Sequence, residues 1–123
     1  MASCTRFIML KSILEEFLAI EAESGAAVVG RDGFLIEGVK SGNIDLETVG
    51  AMASTGMGSS EAMGTELARG KLLQMHMELI KGFIIIAPLT DTEFVTIIAD
   101  KLESSGLIRY NLKKNRERLI AAL

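Results

Sequence analysis

The chain has no tryptophan and only one cysteine, one histidine, one tyrosine and one proline in 123 residues. A lone cysteine closes no internal disulfide, and Cys4 with His76 is too small a set for a structural zinc site of the usual thiolate and imidazole ligands. Cys4 therefore reads as an ordinary thiol near the N-terminus. Serine chemistry needs a base beside the nucleophile. The sole histidine falls in the middle of an alternating segment, flanked on its own face by Gln74 and Glu78, and neither a Gly-x-Ser-x-Gly elbow nor a Ser-x-x-Lys motif occurs. Glu15 and Glu16 are neighbours in a helical pattern and point to different sides, so they form no carboxylate pair. No catalytic, cofactor or metal site is expected.

Long apolar runs are missing too. None is longer than five residues, the length of Phe83 to Ala87, far short of the ~20 residues that span a bilayer. The N-terminal segment carries Arg6 and Lys11 inside its apolar pattern and has no small-residue cleavage site, so no signal peptide is expected and the location defaults to the cytoplasm. A net charge of −3 offers no general attraction to nucleic acid. Locally the C-terminus differs, with Arg109, Lys113, Lys114, Arg116 and Arg118 against Glu117 alone after residue 104. That cluster reads as a solvated helix face with cations near the negative end of the helix dipole; a contact with a protein or a membrane surface is the alternative.

What is present is a strongly patterned apolar sequence, 49% hydrophobic against 24% charged, which suffices for one folded domain over residues 1–123. Residues 1–7 are expected either to extend the first helix or to be poorly ordered. Phe7, Leu10, Ile13, Leu14, Phe17 and Leu18 recur at helical spacing, with Ser3 or Thr5 as the expected cap and Gly25 as the stop. Residues 26–39 predict two strands joined at Asp32-Gly33 by a two-residue turn. Leu73, Met75, Met77 and Leu79 alternate with polar residues, which predicts a half-covered edge strand over Leu72 to Ile80. Phe83 to Leu89 and Phe94 to Ala99 are apolar on both faces and must be covered on both. A last helix is capped by Ser104 or Ser105 and carries Ile108, Leu112, Leu119 and Leu123 on its apolar stripe. The expected fold is α/β of the α+β type, a five-stranded antiparallel sheet with one long helix on one face and two terminal helices on the other.

The long helix contains AMASTGMGSSEAMG, residues 51–64. It is no phosphate loop, because Gly70-Lys71 is followed by Leu72 where a hydroxyl is required and Thr65 stands where the first glycine belongs. The dinucleotide pattern fails as well, with Glu61 at its third glycine position. Leu46, Val49, Met52, Ala53, Gly56, Met57, Ser60, Met63, Gly64 and Leu67 share one arc, which predicts a core-facing stripe between an N-cap at Asp45 and a stop at Gly70. On the opposite side Ala51, Thr55, Gly58 and Ala62 form a seam of small residues. Each interior glycine costs about 1 kcal/mol relative to alanine, so Gly50, Gly56, Gly58 and Gly64 imply close approach of other backbone. Gly56 and Gly64 are expected to seat the helix low on its own sheet, and Gly58 to admit a second helix.

AAVVGRDGFLIEGV, LETVGAMASTGMGSSEAMGTELARGKL, GFIIIAPLTDTEFVTIIAD and SSGLIRYNLKKNRERL, in that order, resemble the roadblock family, the roadblock-type dynein light chains and their prokaryotic relatives. The resemblance covers roughly residues 8–122 and implies a profilin-like domain that forms a homodimer by pairing its middle strand, here Leu72 to Ile80, with the partner's. It implies a dimer surface of Ala51, Thr55, Gly58, Ala62, Leu73, Met75 and Met77. It further implies a non-catalytic regulator or scaffold of a Ras-like small GTPase, stimulating hydrolysis without an arginine finger, with Ser54, Ser59, Glu61 and Glu66 as partner-binding residues. A profilin-like small-ligand sensor, or a scaffold for dynein-type or other complexes, is the alternative.

Overall fold

The computed structural model describes residues 2–18 and 24–123. Its elements are α1 (Ala2–Leu18), β1 (Ser24–Gly30), β2 (Leu35–Lys40), α2 (Leu46–Glu66), β3 (Met75–Leu79), β4 (Gly82–Pro88), β5 (Glu93–Ala99), a 3₁₀ turn (Leu102–Ser104) and α3 (Ser105–Ala121). The strands form one antiparallel sheet in the order β2-β1-β5-β4-β3. Strands that follow one another in sequence are neighbours in the sheet except β2 and β3, which lie at opposite edges and are connected through α2.

Strand alternation divides the core into two layers. Ala26, Val28, Phe83, Ile85, Ala87, Val95 and Ile97 face Leu10, Ile13, Leu14 and Phe17 of α1 and Ile108, Leu112 and Leu119 of α3. Ala27, Val29, Ile86 and Phe94 face Leu46, Ala53 and Met57 of α2. β4 and β5 are thus covered on both faces, as their unbroken apolar runs require. On α3 the i, i+4, i+7, i+11 row is Ile108, Leu112, Asn115 and Leu119, and the buried Asn115 has a defined job. It donates to Asn111 O at 2.9 Å and accepts from Arg118 at 2.7 Å, and Arg118 in turn meets Glu16 of α1 at 3.0 Å. A polar chain therefore joins the two terminal helices beside their apolar contact.

Several local expectations need correction. α1 runs from Ala2, so Ser3 and Thr5 lie within it and neither is its cap. The side chains of Ser3 and Cys4 lie outside the described ones, as do residues 19–23, and Gly25 belongs to β1 instead of ending the helix. The β1–β2 connection is not a two-residue turn. Only Gly33 has positive φ, Asp32 Oδ1 accepts from the Phe34 N–H at 3.0 Å, and Gly30 N–H bonds Phe34 O at 2.9 Å, which makes a longer loop with a register shift at Val28/Val29. The Asp side chain competes for the backbone donor that a tight turn would have used. Ser104 precedes α3 but has helical backbone angles and makes no side-chain cap, because the 3₁₀ turn feeds directly into the helix.

Asp45 does cap α2. Thr48 donates its N–H to Oδ1 at 3.1 Å and its hydroxyl to Oδ2 at 2.8 Å, and these bonds hold the Asp45 carboxyl below the usual carboxylate range. The other end closes differently from the expected Gly70 stop. Ala68 takes the left-handed conformation, φ 53°, while Ala68 N–H bonds Thr65 O and Arg69 N–H bonds Gly64 O. This is a Schellman closure with alanine at the position that favours glycine. Ala68→Gly should raise the thermal midpoint by a few degrees, since left-handed strain of about 1–2 kcal/mol is relieved against a smaller gain in unfolded-chain freedom. An unchanged or lower midpoint in a thermal melt would show that the αL geometry costs nothing here.

Candidate interaction surface

α2 docks across β1 and β2 through its first three turns. Its buried residues are Leu46, Gly50, Ala53 and Met57, a narrower stripe than the arc read from the sequence. Met52, Met63 and Leu67 are 69%, 59% and 67% exposed. Met52 lies to one side of the buried row, and Met63 and Leu67 lie beyond its last member, Met57. Closest approach falls at Gly50, where an added Cβ would sit 3.1 Å from Val29 Cγ2. Gly56 meets only Met75 Cε at 3.9 Å, and Gly64 faces Gly70 O at 2.9 Å, so neither of these two seats the helix on the sheet. Gly58 has open space around it.

The outer face of α2 is uncharged over three turns. Ala51, Thr55, Gly58 and Ala62 are all exposed, with Met52, Ser59 and Met63 beside them and Glu66 at the far end. Ser54 and Glu61, expected on the contact surface, are instead turned toward the β1–β2 loop. Ser54 donates to Arg31 O at 2.7 Å, and the Arg31 guanidinium pairs with Glu61 at 2.5 Å and reaches Thr90 O at 3.4 Å. Arg31 lies 30 residues from Glu61, so only the tertiary fold reveals the pairing. Ser59 and Glu66 remain free on the outside.

β3 spans Met75–Leu79, shorter than the expected Leu72 to Ile80, because residues 71–74 are still returning from α2. It pairs with β4 on one side and is an edge strand on the other. Met75 belongs to the α2-side core, and Met77 and Leu79, two and four residues on, share its face and are 41% and 50% exposed. His76 points to the other face and stacks edge-on against Phe83 with ring centroids 5.6 Å apart. Leu73 lies before the strand, 85% exposed, and lines a groove beside α3. Met75, Met77 and the α2 seam are therefore brought together on one side of the sheet, and Leu73 is not among them. Leu79 joins that surface, as do Met52 and Met63, which were expected in the core-facing stripe and are exposed instead. No helix among the described residues is long and apolar enough to cross a membrane.

An open sheet edge beside an uncharged helix face, on a five-stranded sheet with helices on both sides, defines a profilin-like α/β domain. Residues 9–99 match the Roadblock/LC7 domain, and the chain belongs to that family. It is 33% identical over 113 residues to uncharacterized protein MJ1340 of Methanocaldococcus jannaschii, covering 92% of this chain and 98% of that one. Among solved structures the gliding protein MglB of Thermus thermophilus superposes with a TM-score of 0.85 at 14% identity, covering 95% of this chain and 90% of that one. Myxococcus xanthus MglB gives 0.84 at 16% identity, with 94% and 87% covered. Acanthamoeba castellanii profilin IA gives 0.62 at 12% identity, with 90% and 96% covered.

Proposed function

We propose that the protein is a non-catalytic homodimer that regulates or scaffolds a Ras-like small GTPase in the cytoplasm. The observation that carries the dimer is the open edge of β3, whose exposed Met77 and Leu79 lie on the same side of the sheet as the uncharged outer face of α2. Antiparallel pairing of two β3 edges satisfies their free backbone groups, and bringing two α2 seams together removes Met52 and Met63 from water. Gly58, whose open surroundings give it no packing role within one chain, then lies where a second helix approaches. Membership of the roadblock family supports the GTPase as partner, with Ser59 and Glu66 as contact residues; Ser54 and Glu61 shape the surface from within through Arg31.

Light scattering tests the dimer. The wild type should elute as a dimer, and Met77→Lys, which places two like charges near the two-fold axis, should give a folded monomer with unchanged circular dichroism. Gly58→Leu should weaken the dimer as well, through bulk. A Met77→Lys dimer as stable as the wild type would refute β3 pairing. GTPase binding is tested by co-purification with GTP-loaded and GDP-loaded Ras-like GTPase. Binding unaffected by Ser59→Ala with Glu66→Ala would exclude the outer helix face as the contact.

A further inference from the structure

On the opposite face of the sheet from α2, α3 and the segment leading into β3 enclose a groove of about 510 Å³. Its floor is apolar, from Ala87 of β4 and Leu112 of α3, and Leu73 and Tyr110 form apolar parts of its rim. Its charges are all of one sign. Arg109, Lys113 and Arg116 lie at i, i+4 and i+7 on α3, so all three project along the same wall, and among the described residues no carboxylate lines the groove. In a chain of net charge −3 this concentration of cations is local, not a reflection of composition. Arg116 is fixed in place by donating to Pro88 O and Leu89 O, both at 3.2 Å. Arg109 and Lys113 are exposed, and among the described residues neither has an ion-pair or hydrogen-bond partner that would compensate its charge.

We infer that this groove binds an acidic peptide segment of a partner protein, with an apolar side chain seated on Ala87 and Leu112 and flanking carboxylates against Arg109, Lys113 and Arg116. The charge complementarity selects an anionic partner, and the shape selects its class. A bilayer surface is flat and leaves a concave floor unfilled, whereas an extended or helical peptide places a leucine-sized group between its acids. The site lies across the sheet from α2 and does not depend on the reading of α2 and β3 as dimer and GTPase surfaces.

Fluorescence anisotropy with the labelled peptide EELDELEE tests it, using the full chain. Binding should fall with added salt and should drop by about tenfold or more in R109E/K113E, with an intermediate loss in R109Q/K113Q. Neither pair of substitutions should move the thermal midpoint appreciably, since both side chains are exposed, and co-purification with the GTPase should be unchanged. No binding of EELDELEE, equal binding by the charge-reversed protein, or equal binding of KKLKKLKK overturns the inference. So does charge-dependent binding to phosphatidylserine vesicles without binding of the peptide, which would make the patch a membrane contact.

Discussion

Replacing Gly82 with alanine should lower the unfolding free energy by about 3 kcal/mol or more and the thermal midpoint by about 10 °C. Gly82 opens β4 with φ 144°, a region L-residues rarely enter. A Cβ there would also lie 2.3 Å from Ala99 O and 3.2 Å from Asp100 Cα, and both are backbone atoms of the neighbouring strand or its end that have no rotamer by which to move aside. The clash has to be relieved by displacing the start of β4 from β5 or by reshaping the Ile80-Lys81 turn. Either response disturbs the register of Leu79 with Gly82, and with it the edge strand β3. Circular dichroism melts measure the loss, and a midpoint within a degree of wild type would mean the turn absorbs the methyl group without strain. Light scattering of the refolded variant adds a second reading, because a displaced β3 should also weaken the proposed dimer.

Phe94→Ala should cost about 3–5 kcal/mol, the range for emptying a fully buried aromatic position. Phe94 has no exposure and belongs to the layer that holds α2 on the sheet, with Ala53, Met57 and Val29. That layer is small. Its buried residues besides Phe94 are Ala27, Val29, Leu46, Ala53, Met57 and Ile86, so no other ring is there to fill the space. Phe94→Leu should recover most of the loss, and comparing the two in urea isolates the volume term from any effect on the strand. A Phe94→Ala variant within about 1 kcal/mol of wild type would show that α2 resettles freely over the sheet.

Much of the architecture was legible in the sequence, and the places where it was not share a cause. Unbroken apolar strands, the Asp45 cap and the period of α1 and α3 are local signals, and each matches the structure. The width of the buried stripe on α2 is not local; it depends on how a long helix crosses the sheet, which left Met52 and Met63 outside the core. The Ala68 and Asp32 details were missed because a favoured residue stood nearby. Gly70 drew the expected stop away from Ala68, and Gly33 suggested a tight turn that the Asp32 side chain reshapes. Helical and strand spacing placed Ala51, Thr55, Gly58 and Ala62 on the outer side of α2 and Met75 and Met77 on one face of β3, as the structure has them. Ser54 and Glu61 were misplaced because their partner, Arg31, approaches from a distant loop.

The buried positions of α2 end at Met57, although the helix runs on to Glu66. It is therefore a cantilever. Its first half is clamped to β1 and β2, and its second half, which carries Ser59, Ala62, Met63 and Glu66, is held by the Arg31–Glu61 strut and by the chain's return past Gly64 at Gly70. That half is therefore tied to the domain by a polar contact instead of by core packing, and the same Arg31 side chain links it to the loop at Thr90.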